Sequence, residues 1–371
     1  MEKGRISAAQ LSILAFMSVL ATSLLTAPGI VATAARQDMW LSPLLASGVG
    51  FTIMWILVKL NELHPNETLI QYAVTLLGRP IGKLIGVFYL FFSIYTTSSV
   101  LRQFTDFVKL TFLLKTPSFV ISSSMALICA LCVRGGIETV SRLPMLLLPF
   151  IAVFILMIYM PSIIELKMYK FQPILGDGPG PSLIGAFKLM SWLPVFTFTN
   201  YYLPYVANKR HILRWAYLSV TLFTSVVCIT FVIVYAVLGP ATANYAYPFM
   251  VIARFISFTE FFEHLESIVM MIWTIEIVIR IIFGMYGTSL GLAQWLNLPD
   301  YKPVVIPLGM LLVLFSYWGI SNSYFVSSPQ MILFYLLFGL VIPAILLVIG
   351  LIRHRIVRPS ASGLGGGKPA T

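Results

Sequence analysis

Long apolar runs constrain this chain more than any other feature. Stretches of about twenty or more mostly apolar residues recur along it, each able to cross a hydrocarbon core of about 30 Å as a helix. Ten can be drawn, at approximately 8–35, 41–62, 83–112, 118–134, 143–161, 182–205, 211–238, 260–296, 303–320 and 331–352. A membrane barrel would instead show segments of about ten residues with strict alternation, whereas Met145 to Met160 is apolar on every face. Only 10% of the 371 residues are charged and 59% are hydrophobic, against about a quarter charged in a soluble domain. That much apolar surface also excludes disorder. With 25 Gly and 3 Cys, collagen-like and disulfide-scaffold classes fail. The expected fold class is an all-α integral membrane protein with ten transmembrane helices. The first run lacks a small-residue cleavage site followed by a polar chain, and reads as a retained helix.

The basic residues assign two sides. With the N-terminus in the cytoplasm, one side holds Lys3, Arg5, Arg79, Lys83, Arg134, Arg142, Lys209, Arg210, Arg214, Lys302, Arg353, Arg355, Arg358 and Lys368. The other holds Arg36, Lys115, Lys167, Lys170 and Arg254. Fourteen against five is the asymmetry of the positive-inside rule, and it places both termini in the cytoplasm. It accounts for the net charge of +11 without nucleic acid, which would require a basic soluble module. The lipid bilayer itself is the expected partner of this charge. Residues 1–359 read as one transmembrane domain and 360–371 as a flexible, Gly/Ser-rich cytoplasmic tail. Pro65 to Gly82 reads as a short helix on the cytoplasmic face, Ile163 to Pro181 as an external loop, and Tyr247 to Phe258 as an external interfacial helix.

Two runs carry signals of interruption. The first is 28 residues long, roughly 42 Å as a continuous helix, and contains Ala21-Thr22-Ser23 followed by Thr26-Ala27-Pro28-Gly29. The sixth contains Ser191-Trp192-Leu193-Pro194 and then Pro204. Proline removes a backbone donor, and irregular backbone at that depth survives only where it lines a cavity or is buried in protein. The first and sixth runs correspond if ten helices form two five-helix halves, the arrangement in which paired interruptions mark a transporter-type binding site. Simple proline kinks are the competing reading.

Several blocks resemble the permease-like B subunits of GerA-type spore germinant receptors. They are Ile6-Ser7-Ala8-Ala9-Gln10, Ser23-Leu24-Leu25-Thr26-Ala27-Pro28, Asp38-Met39-Trp40, Leu77-Gly78-Arg79-Pro80-Ile81-Gly82-Lys83, Arg134-Gly135-Gly136-Ile137-Glu138-Thr139-Val140-Ser141-Arg142, Pro173-Ile174-Leu175-Gly176-Asp177-Gly178 and Phe262-Glu263-His264-Leu265-Glu266-Ser267. The resemblance implies a fold like that of amino acid–polyamine–organocation transporters, with two inverted five-helix repeats and broken helices one and six. It implies a nutrient-sensing subunit in the spore inner membrane, binding an amino acid or similar small molecule, with receptor A and C subunits as partners. The family's helix-six carboxylate is absent from Phe196-Thr197-Phe198-Thr199-Asn200, and His264 stands where relatives often carry Arg.

In such a fold a solute sits between helices one, three, six and eight. The candidates are Ala21, Thr22 and Ser23 on the first, Thr96 and Ser99 on the third, and Val195, Phe196, Thr197 and Phe198 on the sixth. Thr96 and Ser99 share a face at i, i+3; they either touch a ligand or pack helices through small residues. Glu276 and Arg280, at i, i+4 in the eighth run, read as an intramembrane ion pair, with Arg280 also able to meet a ligand carboxylate. Arg102 and Asp106 should pair near the outer end. Glu263, His264 and Glu266 fall at the outer end of the eighth run, where they organise the entrance or a partner contact. Cys129 and Cys132 lack the further ligands that a metal site requires. No catalytic motif stands out, so neither enzyme activity nor a cofactor is expected. The competing functions are a secondary amino acid transporter and a receptor scaffold that binds nothing.

Overall fold

The computed structural model describes residues 2, 4–255, 265–318 and 328–357. Among them the chain is helical, with one isolated parallel bridge between Ile6 and Val206. The main helices are α1 (Ala8–Ala35), α2 (Leu41–Leu63), α3 (Leu69–Leu77), α4 (Arg79–Thr111), α5 (Ser118–Arg134), α6 (Ile137–Ser162), α7 (Gly180–Leu189), α8 (Ile212–Leu238), α9 (Pro248–Phe255), α10 (Leu265–Trp295) and α11 (Lys302–Trp318). The last, α12, comes in two pieces, Pro329–Leu336 and Ile342–Val357, joined by a π turn at Leu337–Val341.

Eight stretches of the described residues are long and apolar enough to cross a bilayer. The fourth and ninth expected runs are apolar but shorter, α5 and α11 having 17 residues each. The short helix expected in 65–82 is α3, and α9 lies within the expected Tyr247–Phe258 helix. Residues 256–258 of that helix, the 360–371 tail, Glu263 and His264 lie outside the described residues, as does the side chain of Glu266.

The core is centred on α1. Its start is set by a capping box, in which the Ser7 hydroxyl accepts from the Gln10 amide at 3.1 Å and the Ser7 amide donates to Gln10 Oε1 at 2.8 Å. From there almost every side chain is buried against α8, α10, α7 and α6. At the other extreme, α6 carries Leu146, Phe150, Val153 and Met160 exposed, as a lipid-facing helix requires.

The expected break in the first helix is not found. The α-helix runs unbroken from Ala8 to Ala35 with Pro28 inside it. Its hydroxyls turn back onto its own carbonyls: Ser23 Oγ donates to the Val19 and Leu20 carbonyls at 3.1 Å, and Thr26 Oγ1 to the Thr22 carbonyl at 2.6 Å. None of these bonds reaches the Leu24 carbonyl that Pro28 leaves without its helical donor, yet the helix stays wound, as membrane helices permit. Past the proline, Gly29 lets the helix meet another chain segment, since a Cβ there would lie 2.4 Å from the Tyr245 carbonyl oxygen.

The sixth helix does break. Regular α-helix ends at Leu189, a turn follows, and Leu193–Tyr201 is 3₁₀ with Pro194 in its first turn.

Candidate functional site

The interruption after α7 organises the centre of the molecule. Pro194 lies against α12 at Gly339, where a Cβ would sit 2.4 Å from the Pro194 Cβ. Only glycine allows that approach, and it falls within the π turn. Tyr89 of α4 ties the two irregular segments together. Its hydroxyl donates to the Phe338 carbonyl and lies 2.8 Å from Thr197 Oγ1. Asn200 closes the lower end: its amide donates to the Thr197 carbonyl, and its Oδ1 accepts from the Leu69 amide at the start of α3. Asn200 therefore serves as a local brace.

Around Phe198 the rings form a packed box. Phe198 lies 6.2 Å from Phe92, 5.9 Å from Phe283 and 6.4 Å from Tyr201, centre to centre. Phe92 in turn stacks on Phe338 at 4.9 Å. Helices α4, α10 and α12 and the 3₁₀ segment thus meet at one aromatic cluster, a geometry worth about 0.5–1.5 kcal/mol per pair beyond burial.

Two charges are buried on α10, one of them against this cluster. Glu276 and Arg280 of α10 are 0% and 4% exposed. The expected ion pair between them is not formed. Both Glu276 oxygens lack a hydrogen-bond partner, as does Nε of Arg280. The guanidinium instead lies over the Phe198 ring, 5.6 Å from its centre. The long Arg280 stem carries its charge to the face of this buried ring in the 3₁₀ segment. A cation–π contact is worth about 0.5–2 kcal/mol, whereas desolvating an ion costs several kcal/mol. The arrangement therefore leaves a buried acceptor group and a buried donor, one helical turn apart, with bonding capacity unused. It can present both to a solute that carries the opposite charges.

The structure separates the other candidates. Phe198 and Arg280 come together, and Thr197 is engaged by Tyr89. Phe196 points elsewhere, packing edge-on against Phe223 of α8 at 6.3 Å, and Val195 is buried. Ala21, Thr22 and Ser23 are buried within α1, which packs against α10 and the 3₁₀ segment. Thr96 donates to the Phe92 and Ser93 carbonyls and Ser99 to the Tyr95 carbonyl, within their own helix. The hydroxyl that faces α10 is that of Thr97, which has no partner; a Cβ on Gly284 would lie 2.2 Å from its Oγ1. Thr97, Tyr89 and Phe92 escape sequence reading because several faces of α4 carry small or aromatic residues. The Arg102–Asp106 pair forms at 2.8 Å as expected. Cys129 and Cys132 are free, and no metal-holding cluster occurs among the described residues.

Comparison with known proteins gives the family and the fold. A profile of the family described as "Spore germination protein" matches residues 5–324. Spore germination protein YndE of Bacillus subtilis (strain 168) is 24% identical over 314 residues, covering 84% of this chain and 86% of the relative. Spore germination protein KB of the same organism is 23% identical over 324 residues, covering 85% of each. Among solved structures, MhsT in complex with L-phenylalanine superposes with a TM-score of 0.68 at 13% identity, covering 94% of this chain and 90% of that one. That likeness establishes a transporter-like fold.

Proposed function

The chain belongs to the spore germination protein family, and from that premise we propose that it is a solute-sensing subunit of a germinant receptor. It is a multi-pass, permease-like membrane protein with a transporter-like fold. In our reading it binds an amino acid between α1, α4, the 3₁₀ segment and α10, in the spore inner membrane, with both termini cytoplasmic. It signals to receptor A and C subunits.

The observation that carries the reading is the unmatched pair on α10. Arg280 offers donors to a carboxylate, and Glu276 offers acceptors to an ammonium group. An amino acid zwitterion supplies both, and the aromatic box beside Arg280 suits an apolar side chain. The structural neighbour MhsT, seen with L-phenylalanine, is a precedent for this class of ligand in this fold. Thr97 and the engaged Thr197 supply small polar contacts, as ligand sites of this kind use. The solute's differential affinity for two conformations supplies the free energy of the signal.

The test uses the purified protein in lipid vesicles and a panel of radiolabelled amino acids. Saturable binding of at least one amino acid without accumulation in the lumen is the expected result. Accumulation would assign a transporter. Absence of binding across the panel, in protein shown to be folded, would leave the scaffold role.

A further inference from the structure

At the end of the bundle that carries the N-terminus, away from the aromatic box, an open cleft of about 530 Å³ lies between α3, the start of α4 and the end of α10. Its polar lining includes Glu67, Gln71, Arg79, Lys83, Gln294 and Trp295. The walls are rigid for a local reason. Gly82 brings α4 into backbone contact with α3, since a Cβ there would lie 2.4 Å from the Val74 Cα. Gln294 is tied to Thr68, the N-cap of α3.

The cleft is cationic. Arg79 and Lys83 occupy the first turns of α4, at i, i+4 and therefore on one face. Both are exposed, and neither enters an ion pair among the described residues. Lys83 Nζ lies 5.4 Å from the Trp295 ring centre, and Trp295 Nε1 donates to the Lys83 carbonyl at 3.0 Å. At the rim, Arg353 donates to the Thr75 carbonyl at 3.2 Å. The carboxylate in the cleft, Glu67, accepts from Thr75 Oγ1 at 3.3 Å through Oε1, while its Oε2 lies 3.4 Å from His64 Nδ1 without a hydrogen bond. The positive end of the α4 dipole adds to the same field.

Immediately above these charges α4 changes character. Ile81, Leu84, Val87, Phe88 and Phe91 are all exposed, a stripe of apolar surface that leads from the cleft along the span. A tryptophan and basic residues mark the polar–apolar boundary of a membrane protein, and basic pockets at that level hold anionic headgroups. We propose that this cleft binds an anionic phospholipid. Its phosphate is held by Arg79 and Lys83, and its acyl chains lie along the α4 stripe. The shared chemistry is a phosphate group; the stripe favours a lipid over a free ion, because free phosphate has no use for it.

The whole protein is released from micelles containing equal phosphatidylglycerol and phosphatidylcholine, and retained lipids are counted by native mass spectrometry. Retention of phosphatidylglycerol about tenfold over phosphatidylcholine is expected, with no displacement by millimolar inorganic phosphate. The Arg79→Gln/Lys83→Gln double variant should lose that preference, and Arg79→Lys should keep it. Glu67→Gln, which removes the negative charge in the cleft, should increase it. Equal retention of the two lipids by the unaltered protein overturns the proposal, as does a preference that survives the double variant. Displacement by phosphate would assign the cleft to the free ion instead. If the double variant does not fold, the Glu67→Gln result decides: no increase counts against the proposal.

Discussion

Arg280 and Glu276 act at the level of single side chains, and their isolation from each other has a measurable consequence. A formed buried ion pair loses about 3–5 kcal/mol when one partner is removed, because the other is left uncompensated. No such pair exists here, so Glu276→Gln should leave the thermal midpoint of the solute-free protein unchanged or raise it. A fall of many degrees in a melting experiment would mean that the two groups are paired after all. Thr97 gives a second expectation. Its hydroxyl has no partner, so Thr97→Val, nearly the same shape, removes an unsatisfied polar group and should not destabilise the solute-free protein. Amino acid affinity should nonetheless weaken by about tenfold if that hydroxyl meets the solute. Unaltered affinity in a binding titration would remove Thr97 from the site.

Among the elements, the sixth helix and α12 hold each other in irregular form, and Tyr89 is the link. Tyr89→Phe keeps the ring and deletes the hydroxyl that meets Phe338 and Thr197. A loss of about 1–3 kcal/mol is expected from the stranded buried groups, read as a lower melting temperature. Gly339→Ala should be at least as damaging, because its Cβ would collide with Pro194. If both variants melt like the parent, the two segments do not support each other. This pairing also shows where sequence reading stops. Pro194 announced a break in the sixth run, because proline removes a donor whatever surrounds it. Pro28 sends the same signal in the first, yet α1 stays wound, because burial on all sides leaves no cavity-facing edge to unwind. A proline's effect depends on neighbours that only the fold supplies. The i, i+4 spacing of Glu276 and Arg280 misled in the same way: spacing makes the pair possible, but in the fold the guanidinium lies over the Phe198 ring of a distant run.

For the molecule as a whole, apolar runs and the Lys/Arg asymmetry were enough to define an all-helical membrane protein, since both follow from the bilayer rather than from packing. The 28 residues of α1 separate the segment that holds Glu2 from the one that holds Arg36. Glu2 accepts from the Ile137 amide at 3.0 Å and the Tyr301 hydroxyl at 3.1 Å, gathering the N-terminus and two turns at one end. Arg36 pairs with Asp177 at 3.2 Å, and Asp38 accepts from the Leu175 amide, at the other. A single cysteine at Lys209 in an otherwise cysteine-free chain should be shielded from a membrane-impermeant maleimide in sealed right-side-out vesicles, and one at Lys167 should react. The reverse pattern would invert the proposed topology. The central claim concerns the pair of buried charges and is tested most directly by a thermodynamic cycle. Binding of a saturably bound amino acid and of its methyl ester is measured for the unaltered protein and for Arg280→Met. If Arg280 meets the carboxylate, each change alone weakens binding by about 10–100-fold, and the two together cost scarcely more than one. Full additivity, or an unimpaired Arg280→Met variant, would contradict the account.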